Sequence, residues 1–484
     1  MSDKAEVVVA DPETKVTWTP EEEKTLLNKI DWHVLPILTL LYLLSFLDRT
    51  NIGNAKLDGL IPALGIKDYS TLLSIFFIGY VLFEVPSNII LKRTSPPLWL
   101  PTITLGWGIL TMVMGFLSDQ TGIYIVRFVL GAVEAGLFPG SVFVFSLYYA
   151  RKERHYRTSL FFSGAAAAGA FGGIFAYALG LLDGKGGKGG WAWIFIIEGL
   201  LTVIVSLVAY FFVPNYPHLS KRFTPREKEI IAARISDDPD AIDDEIFSWD
   251  GVWQAFRDPY VYLYGLLFHG FAFALYSLSL FMPTIIAGLG YASWQAQLMT
   301  VPPYIVAFIT TMSTAHAAFV YNRRFIFIIG AALVAIVGYI IQITSPTVGG
   351  RYVSVFITAS GVYAGNALLL SLPSENVSGQ TKRVTALALQ ITLGDIGAIA
   401  GTLLYRIPLG GLANTSYNVS HGLAILWLFV GIFAASSLWF LLSRENARRD
   451  KVEAEAAETG QKIVLTPEET KKQGDRRITW RYHV

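Results

Sequence analysis

Long apolar runs recur along most of this chain, and each is close to the length that a helix needs to cross a lipid bilayer. A hydrocarbon core about 30 Å thick requires about 20 apolar residues in helical conformation. Six runs precede a polar interval and six follow it. The runs cover residues 34–55, 71–91, 98–117, 123–149, 158–182, 191–213, 260–287, 296–320, 325–344, 352–372, 384–405 and 423–442. This pattern predicts an all-α membrane protein with twelve transmembrane helices in two six-helix bundles.

Composition excludes several other classes of protein. Charged residues make up 15% of the chain, against about 25% in an average soluble domain, which argues against a soluble globular protein. A net charge of +1 gives no reason to expect a nucleic-acid partner. The absence of cysteine excludes disulfides, thiolate nucleophiles and Cys-ligated metals. Since no catalytic Ser-His-Asp or His/Asp constellation is evident, we expect neither an enzyme nor a cofactor.

The polar interval predicts the domain organisation. We expect an amino-terminal tail at 1–33, a first bundle at 34–213, a linker at 214–259, a second bundle at 260–442 and a carboxy-terminal tail at 443–484. Lys and Arg are enriched in the loops that share a side with the amino terminus, which predicts that both termini are cytosolic. Capping-box patterns at Thr19, Thr224 and Thr466 predict short surface helices in the linker and both tails.

Ionisable residues within the apolar runs are the first candidates for function, because a charge near the bilayer centre is costly and usually faces a bundle interior or a watery cavity. Five acids accompany only two bases, so some of the acids should carry protons near neutral pH. Proton coupling requires such groups. The residues are Asp48, Arg49, Glu84, Arg127, Glu134, Glu198 and Asp395.

Two of these residues share one helix face. Arg127 and Glu134 lie seven residues apart, or two helical turns, with Gly131 between them. Arg49 follows Asp48 directly and therefore points about 100° away from it around the helix. A guanidinium offers paired donors to a carboxylate, so Arg49 and Arg127 favour an organic anion as ligand. The structural alternative is an ion-pair network of Asp48, Arg127 and Glu134.

Neutral polar residues and histidines within the runs provide further candidates for binding. Each could instead be hydrogen-bonded between helices, and a lone histidine is more often a packing residue than a ligand. For Asp395, the neighbouring Gly394 and Gly397 permit close helix approach. The predicted substrate-binding residues are Arg49, Asn51, Tyr80, His269, Tyr276, Asn366, Gln390 and Asp395.

Several motifs together resemble one known family along nearly the whole chain. They include LPILTLLYLLSFLDRTNIGNAK, GYVLFEVPSNIILKR, RFVLGAVEAGLFPG and ENVSGQTKR. The chain resembles the major facilitator superfamily, specifically its anion:cation symporter family and the fungal allantoate and nicotinate permease branch. The resemblance implies that Asp48 and Glu134 exchange protons, that Arg49 binds the substrate carboxylate, and that Arg127 pairs with a proton-carrying acid.

The family pattern also has departures here. The loop after the second run keeps only the basic part of the superfamily's gate motif, in NIILKR, so we expect Glu84 to take part in gating. Leu372 stands where the branch commonly has tryptophan. Transfer of a particular permease's substrate preference is therefore not warranted.

The predicted function is proton-coupled import of a small organic anion by alternating access, by a monomer in the plasma membrane. A carboxylate vitamin, a ureide or a sugar acid would suit an arginine site. Two alternatives stay open: a proton-exchanging exporter of a metabolite, and a nutrient sensor that binds its ligand without transport.

Overall fold

The computed structural model describes residues 17–236, 248–405, 417–458, 469 and 473–484. Within these residues, twelve helices are long and apolar enough to cross a membrane, as the apolar runs predict. The helices are α1 (Pro20–Leu57), α2 (Tyr69–Arg93), α3 (Pro96–Met114), α4 (Gln120–Tyr148), α5 (Arg151–Gly180), α6 (Gly190–Phe212), α7 (Pro259–Ala287), α8 (Ser293–Tyr321), α9 (Arg324–Thr344), α10 (Val348–Asn376), α11 (Thr381–Leu404) and α12 (Asn418–Glu458). The predicted fold class is confirmed.

The first helix is longer than its apolar run. Thr19 caps it through a reciprocal pair, in which Thr19 Oγ1 accepts from the Glu22 amide at 3.1 Å and the Glu22 carboxylate accepts from the Thr19 amide at 2.8 Å. The expected surface helix of the amino-terminal tail is therefore continuous with the first span. The reason is that no glycine or proline interrupts the chain between Pro20 and Val34.

Two further capping predictions concern the linker and the other tail. In the linker, Thr224 caps the helix Pro225–Ser236 through the same reciprocal contacts with Glu227, at 3.2 and 2.7 Å. A second linker helix, Trp249–Phe256, was not predicted. The pattern at Thr466 lies outside the described residues. The last helix continues past residue 442 to Glu458, since the chain there contains neither glycine nor proline.

Helices α1–α6 form the first half of the protein and α7–α12 the second. The two halves meet mainly where α2 packs on α11, α5 on α8 and α1 on α7. Large apolar side chains such as Phe211 and Phe440 are 81% and 64% exposed on the outside of the helices, which suits a lipid environment. We call the membrane face at which α1 begins the terminal face, and the other the opposite face.

Close packing of α2 against α4 depends on a glycine. A Cβ atom at Gly131 would clash with the backbone carbonyl oxygen of Phe76 on α2, so only glycine allows this approach. Helix α4 consists of two segments, Gln120–Glu134 and Leu137–Tyr148, with the break immediately after Glu134. Gly131 thereby brings the polar face of α4 against α2.

Candidate functional site

A buried ion pair joins the first and fourth helices. Arg49 Nη2 lies 2.5 Å from Glu134 Oε1, and both residues are almost fully buried. Ser45, one turn before Arg49 on α1, donates to the same carboxylate oxygen at 2.5 Å. Glu134 Oε2 has no hydrogen-bond partner among the described residues. The Glu134 carboxylate thus pairs with Arg49 through one oxygen, and its other oxygen is available to a further hydrogen-bond donor.

Aromatic rings from both halves surround the Arg49 guanidinium. Its carbon lies 5.0 Å from the ring centroid of Phe76, 5.1 Å from Tyr80 and 5.5 Å from Tyr276. Arg49 Nη1 also donates to the Tyr276 hydroxyl at 2.7 Å, across the interface between α1 and α7. Such cation–π contacts stabilise a desolvated guanidinium and hold it in position. Tyr80 and Tyr276 are therefore beside the predicted anion ligand.

Arg127 lies against an aromatic ring of α2. The family resemblance implies that it pairs with a proton-carrying acid. Glu134, which shares its helix face, contacts Arg49, and the Arg127 guanidinium lies over Phe76 at 5.1 Å. Its Nε and Nη1 atoms have no hydrogen-bond partner within the part of the chain that the structure describes. The reason is that α1 lies against α4, which brings the side chain of Arg49 next to Glu134. A role for Arg127 in an ion pair or a gate stays a prediction.

Asp48 points into the first half, away from Arg49. Its Oδ2 accepts a hydrogen bond from Thr202 on α6 at 3.0 Å, and Oδ1 has no partner in the described chain. One turn further along α1, Asn51 donates to Glu198 on α6 and accepts from Asn54 at 3.0 Å. These residues form a polar network between α1 and α6. Asn51, a predicted substrate ligand, is therefore engaged by Glu198 in this conformation.

A small cavity lies between the two halves beside the ion pair. Its volume of about 20 Å³ has room for about one water molecule. Arg49 and Tyr276 line it together with Asp395 of α11, which is 2% exposed. The remaining wall is apolar or aromatic and consists of Tyr42, Phe138, Phe162, Phe268, Leu370 and Ile391. Three of the predicted substrate-binding residues thus converge on one cavity.

Three other predicted ligands do not line this cavity. His269 Nδ1 lies 2.9 Å from the carbonyl oxygen of Leu393, and its ring stacks on Trp427. Asn366 donates to the carbonyl oxygen of Val362 at 2.7 Å, and Gln390 to that of Leu369 at 3.0 Å. Backbone carbonyls thus engage one polar atom of each side chain in this conformation, and their role in substrate binding stays a prediction.

Glu84 links the two halves. Its Oε2 accepts from Thr392 on α11 at 3.0 Å, and Oε1 has no partner among the residues described. Thr392 lies one turn from Asp395, so this contact joins α2 to the helix that carries the cavity carboxylate. The position is compatible with the predicted part of Glu84 in gating, which stays a prediction.

Contacts at both membrane faces close the cavity. At the opposite face, Asp58 accepts from Gln297 at 2.8 Å and from Ser293 at 3.3 Å, both on α8. Near the terminal face, Ser159 donates to the carbonyl oxygen of Ala367 at 2.9 Å, and Arg154 to that of Ser374 at 3.3 Å. The structure is therefore an occluded conformation, closed on both sides.

A buried carboxylate at the terminal face was missed by sequence reasoning. Glu375, at the end of α10, forms an ion pair with Arg324 at the start of α9. His155 Nδ1 and His483 Nδ1 lie 3.7 and 3.4 Å from its two oxygens. The available signal was an acid in the apolar stretch SLPSEN, within a motif already noted for the family resemblance.

Comparison with known proteins agrees with this architecture. The family model of the Major Facilitator Superfamily matches residues 38–402. The MFS-type transporter cnsO of Penicillium expansum is 35% identical, over 88% of this chain and 85% of its own length. The high-affinity nicotinic acid transporter of Saccharomyces cerevisiae is 31% identical, over 91% of this chain and 82% of its own.

A solved structure shares the fold. A bacterial homologue of the human lysosomal transporter Spinster, in an inward-facing and occupied conformation, superposes with a TM-score of 0.59 at 18% identity. The match covers 88% of this chain and 98% of that one. The twelve helices, the family match and the curated relatives agree. The chain belongs to the Major Facilitator Superfamily and is a membrane transporter, not an enzyme.

Proposed function

We propose that this transporter is a symporter that imports a small organic anion together with protons. One observation carries the proposal: Arg49, the cation that lines the central cavity, is neutralised by Glu134. An anion that enters the cavity must compete with Glu134 for this guanidinium. Binding of substrate and the charge state of Glu134 are therefore coupled.

The coupling follows from the cost of buried charge. Arg49 and ionised Glu134 form a neutral pair in a buried site. If a substrate carboxylate joined them, two negative groups would share one guanidinium, and an uncompensated buried charge costs several kcal/mol. A proton on Glu134 removes the excess charge and releases Arg49. Anion and proton therefore bind together, and the cavity closes in a neutral state.

Asp48 is the second proposed proton carrier. It is fully buried on α1, one residue before Arg49, and Thr202 is its hydrogen-bond donor. No basic side chain lies within ion-pair distance of it in the described ranges. A carboxyl group in such a place is most stable when protonated. Asp48 would take up a proton in the outward-facing state and release it when water reaches it from inside.

Alternating access uses the contacts that close each face. Substrate would enter after Asp58 separates from Ser293 and Gln297 at the opposite face, and leave after the α5–α10 contacts part at the terminal face. Glu84 and Thr392 join the halves between these gates. The arrangement suits rocking of one half against the other about the central site.

Similarity supports an organic anion as substrate. One relative is named as a nicotinic acid transporter, and nicotinate is an organic carboxylate. The motif resemblance to the allantoate and nicotinate permease branch points the same way. The enrichment of Lys and Arg supports an orientation with the terminal face and both termini in the cytosol. We place the protein in the plasma membrane as a monomer.

The test is uptake of a panel of labelled organic anions by transporter-free cells that express the protein, at acidic and mildly alkaline external pH, with and without a proton uncoupler. Uptake of one anion that rises at acidic pH and collapses with the uncoupler would support symport. Uptake that does not depend on pH would indicate uniport instead of symport. Net outward flux would indicate export, and binding without flux would indicate a sensor.

A matched pair of variants connects that assay to the site. Arg49→Lys keeps the charge but loses the paired donors and much of the aromatic contact, so uptake at low substrate concentration should fall at least about tenfold. Asp119→Asn keeps a side chain that can cap α4 outside the cavity and is the control. Equal uptake by wild type and Arg49→Lys would remove Arg49 from the site.

A further inference from the structure

A buried carboxyl group faces the same cavity as Arg49. Asp395 lines the cavity from α11, in the second half, and is 2% exposed. Its Oδ1 has no hydrogen-bond partner in the described part of the chain, and no ion pair joins it to Arg49. A buried carboxyl oxygen with no partner is costly unless a ligand supplies one. The site therefore has a guanidinium on one side and an unpaired carboxyl oxygen on another.

We propose that the transported substrate is amphoteric: its carboxylate binds Arg49, and an amine or other N–H donor at its far end binds Asp395. The proposal rests on the proposed function, because it assumes that the central cavity is the transport site. A bound substrate would connect Arg49 of the first half with Asp395 of the second. When the cavity closes around the substrate, both Arg49 and Asp395 would then have a polar partner.

The rest of the wall restricts the body of this substrate. The rings of Tyr42, Phe138, Phe162 and Phe268 line the same cavity as Arg49 and Asp395. Flat rings pack well against aromatic side chains, with centroids about 4.5–7 Å apart. A small planar body with a carboxylate at one edge and a nitrogen donor at the other fits this arrangement. The cavity must widen to admit it, since its present volume holds about one water molecule.

Equilibrium binding to the purified full-length protein tests this proposal without requiring proton-driven transport. The probes are two pairs of similar shape: 4-aminobenzoate with 4-methylbenzoate, and the longer 4-(aminomethyl)benzoate with 4-ethylbenzoate. A site built to bind a donor rejects an analogue that lacks it. We expect the nitrogen-bearing member of at least one pair to bind at least about tenfold more tightly.

Substitution identifies the group responsible for this preference. Asp395→Asn should reduce the preference for the nitrogen-bearing probe at least about fivefold and leave the binding of its partner nearly unchanged. Asp119→Asn, at the capping residue of α4 and outside the cavity, should retain the wild-type preference. Equal affinities within both pairs, no binding of any probe, or an unchanged preference in Asp395→Asn would overturn the proposal. Binding without proton coupling would instead contradict the proposed function alone.

A second observation concerns the segment Gly474–Val484, which we call the strap. The strap packs on the terminal face and contacts both halves. In the first half, the Arg151 guanidinium lies 3.8 Å from the ring centroid of Trp480, and Nη2 donates to the carbonyl oxygen of Arg481 at 2.9 Å. Trp480 is only 1% exposed. Burial of this large side chain holds the strap against the first half.

The second half contacts residues at both ends of the strap. The side chain of Asn376 makes two hydrogen bonds to the backbone of His483, at 2.8 and 3.2 Å. Asn446 of α12 binds the backbone of Tyr482 in the same way, with both distances 2.9 Å. Lys382 of α11 forms an ion pair with Asp475 at 2.6 Å.

The strap thus spans the junction that must open towards the terminal face. Arg151, which holds Trp480, also donates directly to the carbonyl oxygen of Glu375 in the second half. We infer that the strap is a latch that favours closure of the terminal face. Inward opening would separate Arg151 from Asn376, so the strap must release its contacts with one of the two halves. The proposal does not depend on the identity of the substrate.

Distance measurements between spin labels test the latch. The chain contains no cysteine, so Arg93→Cys in the first half and Arg257→Cys in the second introduce a unique pair at exposed positions. Trp480→Ala should shift the distance distribution towards longer, inward-open values. The matched control is Trp249→Ala, because Trp249 is 68% exposed on the linker helix.

A second variant tests the strap independently, in case Trp480→Ala does not fold. Asn446→Leu removes both hydrogen bonds to Tyr482 from α12 and leaves the strap sequence intact. It should shift the distribution in the same direction. An unchanged distribution in both strap variants, or an equal shift in Trp249→Ala, would overturn the latch.

Discussion

Arg49 and Glu134 lie 85 positions apart in the chain, and their side chains meet at 2.5 Å in the interior of the first half. Arg49 also reaches across the interface to the Tyr276 hydroxyl at 2.7 Å. A change in the charge of Glu134 therefore acts directly on a group that contacts both halves. This relationship gives the first prediction.

Glu134→Gln should weaken the coupling of anion binding to protons. In the wild type, an anion that binds together with a proton on Glu134 should bind more tightly as pH falls. Glutamine is permanently neutral, so the variant should lose the part of this pH dependence that Glu134 supplies, and the remainder belongs to the second proposed carrier, Asp48. Its uphill accumulation should fall, while exchange of internal for external substrate should persist. A wild-type pH slope in Glu134→Gln would contradict the mechanism, and Asp119→Asn at the cap of α4 is the control.

Gly131→Ala should destabilise the first half. The added Cβ would clash with the carbonyl oxygen of Phe76, so α2 and α4 must separate. Overpacking of this kind costs about 1–3 kcal/mol. Thermal unfolding of the purified protein should show a lower midpoint. The control is Gly330→Ala on α9, where a Cβ meets no atom within 4 Å and helix propensity is improved; equal effects of both variants would refute the packing argument.

Acid should favour closure of the opposite face. Burial raises the pKa of Asp58 above its usual 3.8, with Asp183 acting in the same direction and the hydrogen bonds from Gln297 and Ser293 opposing it. The closed gate therefore prefers the protonated carboxyl. Its stabilisation is absent well above the raised pKa, grows as pH falls through that value and is complete below 3.8.

Label distances across the opposite face, measured against pH, check this expectation. The wild-type population should shift towards the closed distance on acidification. In Asp58→Asn, the fraction of molecules with the opposite face closed should not change with pH, because the amide cannot titrate. A wild-type response retained in Asp58→Asn would assign the effect to another group.

The strap should release on acidification of the terminal face. Burial lowers the pKa of His483 below 6.5, the hydrogen bond and charge of Glu375 oppose this shift, and Arg151 and Arg324 reinforce it. The docked strap therefore prefers neutral His483. Docking of the strap is strongest above pH 6.5, the ordinary pKa of histidine. It weakens as pH falls from 6.5 towards the lowered pKa of docked His483.

Spin-label distances between Arg93→Cys and Arg257→Cys should lengthen with acid, and His483→Gln should remove that dependence. A dependence that survives in His483→Gln would exclude this histidine as its source.

The sequence by itself determined the features that depend on local pattern. Apolar runs of bilayer length indicated the twelve spans. Capping boxes at Thr19 and Thr224 indicated two helix starts. The 100° rotation per residue placed Asp48 and Arg49 on different faces, and they do contact different helices. These inferences succeed because helical periodicity and capping involve residues only a few positions apart.

Only the tertiary structure decided which charged groups meet. Helical spacing put Arg127 and Glu134 on one face, but Glu134 pairs with Arg49 from α1. Asn51 and His269 looked like ligands, and both are engaged away from the cavity. Such pairings depend on how each helix is rotated and how closely it approaches its neighbours. Contacts such as Gly131 against Phe76 fix that rotation and approach, and the pattern of a single helix does not encode them.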